Sequence, residues 1–204
     1  MSEYHTSVLL DESVSALVDS VDGVYADATF GGGGHTAEIL SRLSTNGRVL
    51  AFDRDMDAIG NRIDDPRLTL IRSDFRWIHN HVLNQGYRKG IDGVLADLGV
   101  SSHQFDTAER GFSFRYEAPL DMRMNQEAER TAADIINSYE QEEIEKILRI
   151  YGEVDNSRKL AQMICKAREI APIETTTQLG KAIESALPTL LEMQFLLAER
   201  LSRL

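Results

Sequence analysis

The chain has 204 residues, 42% of them hydrophobic and 27% charged, enough for one sizeable core or for a core with a smaller annex. No apolar run approaches the ~18 residues of a membrane span, and the opening MSEYHTSVLLDESV has no basic region, continuous apolar stretch or cleavage site, so a cytoplasmic location without membrane attachment is expected. The net charge of −11 disfavours nonspecific binding to nucleic acid while leaving room for a local basic patch, and the single cysteine excludes an internal disulfide.

An amphipathic helix, DESVSALVDS, comes first, with Val14, Leu17 and Val18 on one side. From residue 23 to about residue 100, short apolar runs alternate with helical periodicity as a βαβ chain requires. The strands are GVYADATF, GRVLAFD, LTLIRSDF and IDGVLADLGV; between them lie the helical stretches HTAEILSRLS, RDMDAIGNRI and FRWIHNHVLN. This pattern predicts an α/β fold with a parallel sheet and helical crossovers. Beyond Ser101, the segment SSHQFDTAERGFSFRYEAPLDMRMNQEAERT has little periodicity and reads as a long functional loop.

Helices then dominate. SYEQEEIEKILRIYG begins with Ser138 and Gln141 in capping-box spacing and repeats apolar residues at Ile144, Ile147, Leu148 and Tyr151. In SRKLAQMICKAREI, Cys165 shares an apolar face with Leu160, Met163 and Ile164 and reads as a core residue. TTTQLGKAIESAL carries a second box, Thr175 with Gln178. The chain closes on LPTLLEMQFLLAERLSRL, which has helical leucine spacing and no strand signal. Leu190, Leu191, Phe195, Leu196 and Leu197 there predict an exposed apolar stripe that favours self-association, as in a homodimer.

The stretch DATFGGGGH joins the first strand to the helix after it, where nucleotide-type cofactors meet a doubly wound sheet. A loop without side chains lets a ligand touch backbone; an unliganded glycine turn is the bland alternative. The register Gly32, Gly34, Ala37, with Asp53 following 21 residues after Gly32, also fits a dinucleotide fingerprint. Charge separates the candidates. Pyrophosphate is an anion that favours a helix N-terminus free of carboxylates, whereas S-adenosylmethionine brings a sulfonium cation and an ammonium group. Asp27, Asp53, Asp74 and Asp97 recur at intervals of 21 to 26 residues, each at or near the C-terminal end of a strand, and in an open α/β sheet those ends converge on one crevice. One such aspartate is usually a cap or turn residue. Four at this spacing point to a cationic ligand.

The chemistry assigns roles. Asp53 is placed to accept from two ribose hydroxyls, and Asp74 or its neighbouring backbone from an adenine amine, with Phe75 packed on the ring. Asp27 and Asp97 face the cationic end. The backbone of Gly33, Gly34 and His35 lies along the methionine part; His35 reads equally well as an ordinary helix N-terminal residue.

Together, HTSVLLDE, DATFGGGGHT, DLGVSS, DTAERGFSF and LDMRM resemble the bacterial 16S ribosomal RNA cytosine-N4 methyltransferase family of the RsmH (MraW) type, in order from about residue 4 to about residue 185. The resemblance implies a Rossmann-like S-adenosylmethionine-dependent methyltransferase sheet with an inserted, substrate-side helical domain. It also implies cofactor contacts at Gly33, Gly34, His35, Asp53, Phe75, Asp97 and Gln104. The expected organisation is a methyltransferase core over 1–104, a substrate-facing loop over 105–135, a helical insertion over 136–187 and an atypical helix over 188–204. The family supplies further strands after the insertion, where this chain gives none, so an incomplete sheet is expected.

In the long loop, Arg110, Arg115 and Arg123 alternate with Phe112, Phe114 and Tyr116, a mixture that can stack single-stranded bases and touch phosphate. Taken on the residues alone, the flanking acids favour aromatics that merely anchor the loop; the resemblance implies 16S ribosomal RNA in the small ribosomal subunit as partner. The expected reaction is methyl transfer to a cytosine exocyclic amine with Asp97 as the catalytic residue, either orienting the amine or holding the cofactor ammonium. No metal is needed, since the leaving sulfonium drives the step. A small-molecule methyltransferase and a noncatalytic cofactor-binding fragment are the rival readings.

Overall fold

Four strands, β1 (Val24–Asp27), β2 (Arg48–Asp53), β3 (Leu68–Arg72) and β4 (Gly93–Leu95), form a parallel sheet in the order β3-β2-β1-β4. The structure is a computed structural model that describes residues 7 to 184. The helix expected over 188–204, its leucine stripe and the self-association tied to it lie outside the described residues. The chain divides into two units, the first running through Leu98 and the second starting at Gly99, so Gln104 belongs with the second unit.

In the first unit β1, β2 and β3 are each followed by a connection that brings the chain back to the same end of the sheet, which is what parallel pairing demands. Helices α1 (Leu10–Leu17), α2 (Gly34–Arg42), α3 (Met56–Ile59) and α4 (Ile78–Asn84) accompany the sheet. Alternation along the strands sends side chains to two faces. Tyr25 and Val49 join Val14, Ile39, Leu40, Leu43 and Leu95 in one cluster, while Ala26, Leu50 and Phe52 join Val82 in the other. Both faces are therefore covered, and the strands read as near-continuous apolar runs for that reason. The register pairs Asp27 with Ala51 and with Leu95, and Asp53 with Arg72, so the strands' C-terminal ends lie side by side.

The second unit contains α5 (Ser102–Asp106), α6 (Ala132–Ser138), α7 (Gln141–Ile150), α8 (Ser157–Ile170) and α9 (Thr176–Ile183). Its core collects Ile144 and Leu148 of α7, Leu160, Ala161 and Ile164 of α8, and Leu179 and Ile183 of α9, with Cys165 packed at the margin. Phe112, Leu120 and Met122 from the preceding loop sit in the same cluster. That loop is thus part of the helical core. Gly111 marks where it turns: at φ +71° its Cα faces the Pro119 carbonyl and, at 2.8 Å from an added Cβ, the Asp121 amide, so a side chain has neither the backbone angle nor the room.

One expected cap moves. Ser138 is the last residue of α6, its hydroxyl donating to the Asp134 carbonyl at 2.6 Å, and α7 starts instead from Glu140, whose N–H donates to the Glu143 carboxylate at 3.0 Å. Two adjacent helices compete for one serine, and the back-bond to the preceding turn wins. The Thr175 and Gln178 box forms as expected, with Gln178 N–H donating to Thr175 Oγ1 at 3.2 Å.

Candidate functional site

The glycine turn between β1 and α2 is fastened to both neighbouring strands. Ala28 N–H donates to the Leu95 carbonyl at 2.8 Å and Phe30 N–H to the Phe52 carbonyl at 2.9 Å, so the turn leaves the sheet at a fixed angle. Gly33 then caps α2 with φ +80°, a left-handed backbone that costs a residue with a Cβ about 1–2 kcal/mol. Gly34 begins the helix, and a Cβ there would strike the Ser7 hydroxyl. On the open side of the turn, a Cβ built on Gly31 would meet only the Thr29 carbonyl at 3.9 Å.

Asp27 ends β1 and is completely buried. Its carboxylate accepts from Thr36 Oγ1 at 2.6 Å and from Thr29 N–H at 3.0 Å. Burial raises its pKa above the ordinary carboxylate value, opposed by those two donors and by nearby His35. Asp27, expected to face a cationic ligand, has its oxygens engaged by Thr29 and by the first turn of α2, which supply the donors a buried acid needs.

Asp53 ends β2 and braces the turn from the other side, accepting from Gly31 N–H at 2.9 Å and from Asp55 N–H at 2.9 Å. Burial again raises its pKa, with the Asp55 and Gly31 amides pulling the other way. The Arg54 amide is a third donor; a carboxylate offers about four lone-pair positions, so acceptor capacity is left. Asp74 caps a short turn after β3, accepting from Arg76 N–H at 2.9 Å and pairing with the guanidinium groups of Arg76 at 3.0 Å and Arg54 at 3.4 Å. Burial would raise its pKa, but the Arg76 donors and the positive charge of both arginines outweigh it and hold the carboxyl below the ordinary value. Phe75, next in the chain, leaves 45% of its surface in solvent, an open ring at the rim of the strand ends.

Asp97 follows β4 by two residues and its side chain is exposed; its backbone N–H donates to Thr29 Oγ1 at 2.8 Å. His35 is only 6% exposed, and its ring Nε2 lies 3.2 Å from the Val8 carbonyl, which ties the N-terminal segment to α2. The imidazole is therefore engaged structurally, while its backbone amide stays in the first turn of the helix, where amides have no partner within the helix. Gly33, Gly34, His35, Asp53, Phe75 and Asp97 all lie in the first unit. Gln104 is buried in the second, where Oε1 accepts from Ser101 N–H at 3.0 Å and Nε2 lies 3.1 Å from the Met124 sulfur. Thr29, Thr36 and Asn61, whose amide donates to the Gly31 carbonyl at 3.1 Å, were not among the expected residues. The two threonines stand inside the DATFGGGGHT motif, and a hydroxyl beside a buried acid is the signal that marks them.

The loop of arginines and aromatics differs from expectation. Phe112 is fully buried, and the guanidinium of Arg110 lies over its ring at 5.8 Å while donating to the Arg123 carbonyl at 3.0 Å. Arg123 is paired with Asp121 at 2.7 Å. Phe114 packs against the helical core. The arginines and aromatics are thus mostly turned inward, and of these six residues only Arg115 and Tyr116 face solvent.

Among the described residues no cluster of histidine, cysteine and acids is arranged to hold a metal ion, and no helix is long and apolar enough to cross a membrane. A parallel sheet, a glycine turn after its first strand and acids at the strand ends are features of many nucleotide-binding proteins; sequence comparison decides among them. The MraW methylase family model matches residues 2–196. The chain belongs to the MraW methylase family. Its sheet is accordingly that family's Rossmann-like sheet. The MraW chain is 54% identical over 185 residues to "Ribosomal RNA small subunit methyltransferase H" of Bacteroides fragilis, covering 91% of this chain and 60% of that protein. It is 49% identical over 187 residues to the protein of the same name from Christiangramia forsetii, with 92% and 62% covered, and 48% identical over 186 residues to that of Flavobacterium johnsoniae, with 91% and 61% covered. The chain spans about 60% of the length of the curated relatives it matches.

Proposed function

We propose that this MraW chain carries the S-adenosylmethionine-binding part of an enzyme that methylates the exocyclic N4 amine of a cytosine in 16S ribosomal RNA of the small ribosomal subunit. The observation that carries the reading is the acidic rim of the glycine turn, with the Asp53 and Asp97 carboxylates at the ends of β2 and β4, the two strands that flank β1. That polarity suits a cationic sulfonium and ammonium and repels a pyrophosphate. The names of the relatives, which specify ribosomal RNA of the small subunit, support the choice of substrate.

When bound, the cofactor supplies an electrophilic methyl group on positively charged sulfur. In the proposed arrangement Asp53 accepts from the ribose hydroxyls, Phe75 stacks on adenine, and the backbone of Gly33, Gly34 and His35 lines the methionine part. The amine nitrogen of cytosine is a poor nucleophile because its lone pair is delocalised into the ring. Asp97 is therefore assigned to hold it by accepting its N–H, or to hold the cofactor ammonium so that the Leu98 carbonyl meets the base.

Incubating the purified protein with methyl-labelled S-adenosylmethionine and small ribosomal subunits, then analysing the modified bases, tests the reading. Label in N4-methylcytidine is expected. Label in another nucleoside, or in a metabolite pool and not in RNA, overturns it.

A further inference from the structure

Thr29 is held in place on both sides along the chain. Its own N–H donates to the buried Asp27 carboxylate at 3.0 Å, the residue before it is bonded to β4 through Ala28 N–H to Leu95 carbonyl, and the residue after it to β2 through Phe30 N–H to Phe52 carbonyl. Three successive amides are thus anchored to three different places in the sheet. From that fixed base the Thr29 hydroxyl accepts the N–H of Asp97 at 2.8 Å, across 68 residues of chain. Asp97 itself stands in an exposed stretch after a three-residue edge strand, in which Ala96, Asp97 and Leu98 are all exposed.

We propose that Thr29 is a positioning residue for Asp97: its hydroxyl transmits the rigid placement of the β1 terminus, set by Asp27, to the loop that carries the acid facing the cationic end of the ligand. The inference rests on the reading of the site given under Proposed function. A hydroxyl has one donor and two acceptor positions, so accepting the Asp97 amide leaves the Thr29 proton free to bond elsewhere. Threonine suits the task better than serine because a β-branched side chain loses little rotamer freedom when held in one orientation. Valine has nearly the same shape but cannot accept, which makes the contact separable from packing.

The test compares wild type, Thr29→Val and Thr29→Ser, using S-adenosylmethionine and 5′-methylthioadenosine, which keeps the adenosine and lacks the amino-acid part. If Thr29 acts through Asp97, Thr29→Val binds S-adenosylmethionine about five- to tenfold more weakly, the range for one lost hydrogen bond, and binds methylthioadenosine unchanged. Thr29→Ser restores the preference. In the ligand-free protein the Asp97 amide of Thr29→Val exchanges with solvent about tenfold faster, read by NMR, with core amides unaffected. Adding Thr29→Val to an Asp97→Asn background produces no further loss for S-adenosylmethionine. Equal weakening of both ligands, or an Asp97 amide as protected in Thr29→Val as in wild type, overturns the inference and leaves the cofactor reading standing. A wild-type chain that binds neither ligand overturns the cofactor reading, and this inference with it.

Discussion

The buried carboxylate of Asp27 accepts the hydroxyl proton of Thr36 at 2.6 Å, joining the end of β1 to the first turn of α2 with a charged group that never meets water. Because burial raises the Asp27 pKa in the folded protein, the native state binds its proton more readily than the unfolded chain does. Stability from this group is therefore largest below the ordinary carboxylate value of about 4 and declines as pH rises toward the folded value. Asp53 has the same sign. Asp27→Asn keeps the Thr29 bond and places an amide against Thr36 without the charge, so it should lose less stability than wild type as pH climbs from about 4 to 7. Denaturant midpoints across that range measure the difference. Asp27→Ala leaves two donors unmatched and should cost about 1–3 kcal/mol.

Asp53→Ala should weaken S-adenosylmethionine by about 1.5–3 kcal/mol, the range for hydrogen bonds to a charged group. Part of that loss comes from the Gly31 and Asp55 amides that the carboxylate also holds. Titration calorimetry of Asp53→Asn, which keeps an acceptor, separates the two contributions: a smaller loss is expected. Unchanged affinity in both variants rules out a ribose contact.

Gly33→Ala tests the turn. At φ +80° an alanine is strained by about 1–2 kcal/mol, and its methyl carbon would also lie 3.1 Å from the Phe30 ring. The same change at Gly86, φ +90° with open space around it, carries only the backbone strain. Both variants should lower the melting temperature; only Gly33→Ala should also lower affinity for the cofactor.

Of Arg110, Arg115 and Arg123, Arg115 is the one that faces solvent, beside exposed Tyr116. Arg115→Ala should weaken RNA binding at low salt, with the loss shrinking as salt rises, and leave cofactor affinity unchanged. Phe112→Ala belongs to a different class: truncating a fully buried ring in the helical core should cost about 3–5 kcal/mol of stability. Filter binding against salt and thermal melts distinguish the two.

Asp97→Asn, assayed in single turnovers at saturating cofactor on small ribosomal subunits, should lower the methylation rate by at least ~100-fold, a typical loss for one positioned electrostatic group. Saturation keeps weaker binding from imitating a catalytic defect. A rate within a few fold of wild type removes the role.

The strands and the acids at their ends could be read from the chain because both signals are local. Apolar runs such as VLAF report burial on two faces, and Asp27 and Asp53 close β1 and β2 as the spacing requires. What could not be read depends on partners distant in sequence. The Thr36 and Thr29 donors on the Asp27 oxygens were not foreseen, and the amide that makes Thr29 informative arrives from Asp97. Arg110 carries a charge that predicts exposure, yet carbonyls of Arg123 and Met124 and the Phe112 ring give it a buried place. The cap at Ser138 failed for a narrower reason: the residues around it suit both the end of α6 and the start of α7, and sequence spacing alone does not rank the two.

The central position of β1 bears on the order of folding. Its pairing with β2 spans a short crossover, but its pairing with β4 matches Tyr25 to Gly93, a closure of nearly seventy residues whose entropic cost precedes any reward. The α7 and α8 hairpin, by contrast, closes over a few residues of connection and can form early. The Ala28 to Leu95 and Thr29 to Asp97 bonds exist only after β4 has docked, so the ligand site is among the last parts of the first unit to assemble. Anything that binds only the docked form would slow the reopening of the β1 edge to mispairing without hastening its first closure.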